Sequence, residues 1–165
     1  MLLDRPSVHS GKNRNVPSFS VEEYFQGEIN VTGVFRQRFR PKPKQFSAII
    51  TCEGNAERLI LNEIMRLEGS EEQRRVWNIN KTSSDAYEGE ADDMVGSAKG
   101  FCQGNSIIWS YEMLLPYRNR MVRVKFEDQM FLQPSGILLN IVSIRKFSIE
   151  VASLFAVYQK VSSNG

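Results

Sequence analysis

Residues 71–116, EEQRRVWNINKTSSDAYEGEADDMVGSAKGFCQGNSIIWSYEMLLP, decide the fold. Short alternating runs are punctuated about every eight to twelve residues by Gly, Asn, Asp or Ser, the spacing of a β-meander. Trp77 and Ile79 alternate with Asn78 and Asn80, and Ser83-Ser84-Asp85 carries turn chemistry. Tyr87 and Gly89 resume the extended run, then Gly104-Asn105 turns the chain into Ile107, Trp109 and Tyr111. No helical period is present.

The same reading extends in both directions. Ser20-Val-Glu-Glu23 has the spacing of a capping box and predicts a short helical turn through Tyr24 and Phe25, ended by Gly27. Ile29, Val31, Gly33 and Phe35 then alternate with polar residues as a first strand, with Gly33 a candidate for close backbone approach. Phe46, Ala48, Ile50 and Cys52 share a face of the second strand. Leu59, Leu61, Met65 and Leu67 share a face of the third, where Glu63 interrupts them. A hairpin register that opposes Leu59 to Ile79 and Leu61 to Trp77 also opposes Glu63 to Arg75, giving the intruding acid a cation.

Downstream, Met94, Gly96, Ala98, Gly100 and Cys102 form a face of small residues against which another element should pack tightly. A strand from Asn105 to Leu115 ends at a turn bounded by Pro116 and Asn119. Val122, Val124, Phe126 and Met130 follow on one face that also carries a second intruding acid, Asp128. Apolar runs over 138–147 and 149–161 complete roughly nine or ten strands. The expected fold is all-β, an antiparallel up-and-down barrel, because closure removes exposed edges.

With 165 residues, 41% of them hydrophobic and 24% charged, the chain has material for a single core. We divide it into a loosely held tail over 1–19, one barrel domain over 20–161 and a C-terminal tail over 162–165. A net charge of +2 gives no expectation of nucleic acid binding. Cys52 and Cys102 lie too far apart in sequence for a thiolate metal motif and read as buried thiols. The first eighteen residues never reach the apolar run of a signal peptide or membrane span, so a chain unprocessed at its start is expected in the cytoplasm.

Chemistry-bearing patterns are few. The single histidine, His9, falls in the expected tail, which leaves no His-based triad or zinc set. Neither a nucleophile elbow nor a phosphate-cradling glycine loop occurs, so no catalytic residue, metal or cofactor is assigned and an enzyme is the least supported class. Asp92-Asp93 reads as a turn in preference to a paired carboxylate site. Glu63, Arg75 and Asp128 are candidates for an interior polar cluster, and Trp77, Trp109 and Tyr111 for the wall of a cavity or the filling of a core. Arg36, Arg38, Arg40, Lys42 and Lys44 recur at every second position and offer a weaker anion-binding comb, weighed against a solvated hairpin connection.

Several motifs together resemble a known family: Tyr24-Phe-Gln-Gly27, Gly33-Val-Phe35, Leu59 through Glu63, Arg75-Val-Trp77, Tyr87-Glu-Gly89, Ala91-Asp-Asp-Met-Val-Gly96, Ala98-Lys-Gly100, Gly104-Asn105, Trp109-Ser-Tyr111 and Phe126-Glu-Asp-Gln-Met130. The family is an uncharacterised bacterial one of short domains of unknown function, often described as lipoproteins, and the likeness spans about residues 24–158. It implies a lipocalin-like or calycin-like barrel and no established activity. Many members begin with a lipoprotein signal and Cys, whereas no Cys precedes Cys52 here. Gln129 stands where the family often has Trp, and Gly33-Val34-Phe35 only approximates the Gly-x-Trp of true lipocalins.

Two functions are therefore expected. The first is a barrel holding a small apolar or amphipathic ligand, walled by Trp77, Trp109 and Tyr111 and anchored by Glu63, Arg75 and Asp128. The second is a filled barrel that meets a partner through its outer surface or the basic 36–44 connection. Oligomeric state is not legible.

Overall fold

The computed structural model describes residues 17–162. Of the tails expected over 1–19 and 162–165, residues 1–16 and 163–165 lie outside the described residues. Helix α1 covers Val21–Tyr24. The strands are β1 Glu28–Gln37, β2 Lys44–Gly54, β3 Arg58–Leu67, β4 Gln73–Lys81, β5 Ala86–Glu90, β6 Met94–Gln103, β7 Ser106–Tyr117, β8 Arg120–Leu132, β9 Leu138–Lys146 and β10 Ile149–Lys160.

They form one closed antiparallel barrel of ten strands. Nine pairings join strands adjacent in sequence, and the tenth closes β1 on β10 with Val31 opposite Tyr158 and Gly33 opposite Ala156. That seam explains Gly33: a Cβ there would sit 2.3 Å from the Phe155 carbonyl oxygen and 2.6 Å from the Phe46 ring. The tight packing expected along the small-residue face of β6 is found at Gly100, where a Cβ would lie 2.7 Å from ring carbons of Trp109 on β7. Only glycine lets the indole lie flat on that strand.

Alternation puts the apolar faces inside, and the barrel has two unlike ends. At one end, which we call the floor, α1 and the segment before it plug the opening. Val21 and Ile29 are fully buried, and Phe19, Tyr24 and Phe25 pack with Leu59, Ile107 and Leu138. Phe19 donates its N–H to the Gly104 carbonyl at 2.8 Å, so the packed unit includes a residue the sequence reading gave to the tail. At the other end, the mouth, a smaller cluster of Val124, Val142, Ile144 and Ala152 lines the wall and nothing described covers the opening.

Three further expectations are corrected. The capping box does not form: Ser20 is extended at the N-cap, but its Oγ is buried with no partner and makes no cap bond. The adjacent Glu22 instead carries the contact that holds the turn, accepting from Lys81 and from the Tyr87 hydroxyl. Cys52 and Cys102 are half-buried free thiols, not core residues. Pro116 lies inside β7, and the turn itself is Arg118-Asn119, both at positive φ.

Candidate functional site

The walls enclose a cavity of about 780 Å³ that opens at the mouth. Most of its lining is apolar, as the alternation of every strand dictates. β3 and β4 pair in the expected register, Leu59 with Ile79, Leu61 with Trp77 and Glu63 with Arg75, so the two intruding charges do meet inside. Their contact is loose, however, at 3.9 Å between Arg75 Nη1 and Glu63 Oε2. Glu63 Oε2 takes its close hydrogen bond from the Trp77 indole N–H at 2.9 Å.

The main partner of Arg75 is Asp93. Arg75 Nη2 donates to Asp93 Oδ2 at 2.7 Å, and Nε lies 3.1 and 3.2 Å from the two carboxylate oxygens. Residues 92–93 are in the expected turn, but β5 is only five residues long, so β4 above Asn78 has no ladder partner on that side. The turn after β5 therefore drops Asp93 beside Arg75, and the ion pair stands where the strand is missing. A side cleft of about 340 Å³, also lined by Glu63, Arg75 and Asp93, adjoins this gap. Burial works against the guanidinium, but the Asp93 bonds and the Glu63 charge outweigh it and hold Arg75 in its charged form.

Lower in the cavity, Asp128 is 7% exposed and Asn140 2%. Asp128 faces Trp109 across one ladder and Val142 across the other, and Asn140 is its diagonal neighbour on β9. The Tyr111 hydroxyl donates to Asp128 Oδ2 at 3.4 Å, and Asn140 Nδ2 donates to the Tyr158 hydroxyl at 3.3 Å. Asp128 Oδ1 and Asn140 Oδ1 are both buried without a partner. Burial pushes the Asp128 carboxyl up to about 7, against the lowering effect of its Tyr111 and Asn140 contacts. A proton on Asp128 turns one orphan acceptor into a donor, which is how such a group tolerates an apolar wall. Burial likewise raises the Tyr111 and Tyr158 hydroxyls well above the ordinary phenol range.

All six candidates of the interior set thus line one cavity: Glu63, Arg75, Trp77, Trp109, Tyr111 and Asp128. Tyr111 binds them together, stacked on Phe126 at 5.0 Å between centroids and edge-on to Trp77 at 5.7 Å. Asp93, Asn140 and Tyr158 were missed. Asn140 and Tyr158 interrupt inward apolar faces just as Glu63 does, so the same rule finds them.

The basic comb is not a comb. Arg36 faces outward one residue before the end of β1, Arg38, Arg40 and Lys42 lie on the connecting turn, and Lys44 begins β2, all exposed. The chain turns at Arg38-Phe39, where the Arg40 N–H donates to the Gln37 carbonyl at 3.1 Å, and Pro41 and Pro43 follow, so the five cations do not share one strand face. Among the described residues no cluster of three or more His, Cys, Asp or Glu is placed to hold a metal ion, and no helix is long and apolar enough to cross a membrane.

Residues 5–160 match the family described as a protein of unknown function, DUF3833. The chain belongs to the DUF3833 family. The fold agrees with a solved structure of the S-type phycobiliprotein lyase CPES from Guillardia theta, with a TM-score of 0.59 at 10% identity over 87% of this chain and 95% of that one. At that identity the likeness is one of architecture, and it makes the DUF3833 barrel lipocalin-like. No curated protein matches the chain.

Proposed function

We propose that this DUF3833 barrel binds one small amphipathic ligand in its interior. The observation that carries the reading is the cavity: about 780 Å³, closed at the floor and open at the mouth, mostly apolar, with Arg38, Arg40 and Lys146 near its opening and Glu63, Arg75, Asp128 and Asn140 on its wall. Ligand sites are commonly of this size and make-up, whereas the alternative, a filled barrel, has no use for such a space. A barrel of the same architecture carries a phycobiliprotein lyase.

The polar group also favours one kind of ligand end. Asp93 already engages the Arg75 guanidinium, while Asn140 Oδ1, and Asp128 Oδ1 whenever its carboxyl is ionised, are buried acceptors that lack donors. An N–H or O–H donor satisfies them; a carboxylate adds a third acceptor and a like charge beside Glu63. The aromatic faces of Trp77 and Tyr111 further suit a cationic nitrogen.

The test is native mass spectrometry and solvent extraction of the full chain, followed by titration with decylamine, decanol and decanoate, read by emission of Trp77 and Trp109. A co-purified small molecule, or saturable binding with decylamine and decanol tighter than decanoate, supports the reading. No co-purified molecule and no saturable response to any of the three probes ends it.

A further inference from the structure

The rim of the mouth is built from five turns, and their order around the barrel separates them into two halves. Following the closed strand order, the β1–β2, β9–β10 and β7–β8 turns are consecutive, and the β5–β6 and β3–β4 turns complete the circle. The first three come from segments 36–44, 144–149 and 117–123, which contain no Asp or Glu and hold Arg36, Arg38, Arg40, Lys42, Lys44, Arg118, Arg120, Arg123, Arg145 and Lys146. The other two carry Glu68, Glu71, Glu72, Glu90, Asp92 and Asp93. Cations near the acidic half are occupied: Arg66 and Arg74 by Glu72, and Arg75 by Asp93. In the basic half Arg123 pairs with Glu112 and Arg145 lies 3.7 Å from Glu127, while among the described residues Arg38, Arg40, Lys42, Arg118 and Arg120 have no acidic partner within salt-bridge distance.

Each turn of the basic half also presents an aromatic side chain to solvent. Phe39 is 89% exposed, Phe147 86% and Tyr117 52%. Each has a cation over its ring: Arg38 at 5.5 Å from Phe39, Lys146 at 4.5 Å from Phe147 and Arg118 at 5.3 Å from Tyr117. Met121 and Ile149 stand beside them, more than half exposed. Phe147 also holds φ at 49°, a left-handed conformation that a bulky side chain adopts only at a cost. Nothing in the packing of the barrel requires an aromatic there, because the side chain touches solvent and its own neighbours.

We infer that this half of the rim docks on the surface of an anionic lipid bilayer, with Phe39, Tyr117 and Phe147 entering the interface and the surrounding Arg and Lys side chains meeting lipid phosphates. Aromatic rings on projecting loops suit the headgroup boundary, and clustered cations are attracted to anionic leaflets. Three separate tips of similar build, each pairing a ring with a cation, reach into a soft layer more readily than they match one rigid partner. The acidic half faces away from the leaflet, so the barrel sits tilted with its open end toward the lipid. The inference stands on the rim alone and does not require a ligand in the cavity.

The experiment is flotation of the full chain with vesicles of phosphatidylcholine alone and with vesicles about one third phosphatidylglycerol, at low and high salt. Binding to the anionic vesicles at least about tenfold stronger than to the neutral ones, weakening with salt, is expected. The triple variant Phe39→Ser, Tyr117→Ser, Phe147→Ser should lose it while keeping the wild-type circular dichroism and melting curve. Separately, Phe39→Trp should show a blue-shifted emission on the anionic vesicles, taken as the difference from wild type. Equal binding to both vesicles, an unshifted Phe39→Trp signal, or a triple variant that floats as wild type does would overturn the assignment. So would no flotation at all, and a protein partner captured by the same rim without vesicle binding counts against it equally.

Discussion

At the floor, Val21 and Ile29 have no solvent exposure and the helical turn is held by Glu22, Lys81 and Tyr87; at the mouth, Phe39 and Phe147 are almost wholly exposed. The same residue classes stand at both ends, aromatic and charged, yet one set is satisfied within the chain and the other is not. Folding alone accounts for the floor. The mouth retains apolar surface and a strained backbone that the stability of the barrel does not need, and those are the marks of a surface kept for something outside the chain. Substitutions at the two ends should therefore act with opposite sign.

The largest effect belongs to the floor. Val21→Asp places a carboxylate among Phe19, Tyr24 and Phe25 with no cation beside it, and should destabilise the barrel by roughly 4 kcal/mol in chemical denaturation. A loss under about 1 kcal/mol would mean that the plug is not part of the cooperative unit.

Between the ends, Asp128 gives a pH signature. Its folded-state value, about 7, stands above the ordinary 3.8, so the unfolded chain releases the proton first. Stability should fall as pH rises from about 4 to about 7 and level off beyond, by about 4 kcal/mol from this group. Asp128→Asn should remove that slope. Glu22 acts in reverse: Lys81 and Tyr87 overcome burial and hold its carboxyl below the usual range, so its contribution is present above pH 4.5 and lost as pH drops through the lower folded value. Urea midpoints measured across pH for wild type and Asp128→Asn separate the two.

Arg75→Met should cost about 2 kcal/mol, less than a fully buried pair, since side-chain exposure is 21% for Arg75, 17% for Glu63 and 38% for Asp93. Double-mutant cycles should give a larger coupling for Arg75 with Asp93 than with Glu63. The reverse order would show that the register pair, not the turn, neutralises the guanidinium.

The smallest effect has the opposite sign. Phe147→Gly relieves the left-handed strain at an exposed turn and should raise stability by about 1 kcal/mol, seen as a higher urea midpoint. A destabilised Phe147→Gly would break the contrast, because it would give the aromatic a structural role at the mouth.

The strand pattern was legible because inward faces of a barrel must be apolar at every second residue, and each exception announces itself. Glu63 and Asp128 were found in that way, and the pairing of β3 with β4 followed from matching one exception to another. Asn140 and Tyr158 obey the same rule but sit in strands so rich in Ile, Leu and Val that a hydrogen-bonding side chain passes for part of the run. Asp93 is different in kind. Its meeting with Arg75 depends on where a five-residue strand stops, and strand length is set by tertiary pairing that periodicity does not report. The basic half of the rim also escaped the linear reading, since its three turns become neighbours only on closure.

Closure itself has a kinetic consequence. Nine of the ten ladders join strands that follow one another along the chain, so each needs only a short loop to form. The β1–β10 seam brings together residues as distant as Ile29 and Lys160, and it bears the loop entropy of nearly the whole domain. Because α1 immediately precedes β1, the seam and the plug are set by one event, and until then the sheet exposes two edges open to intermolecular pairing. Amide exchange along β1 reads the frequency of that opening. A guest that fits only the closed barrel shifts the equilibrium by mass action, so occupancy would act as a latch on the seam, well away from the atoms it touches.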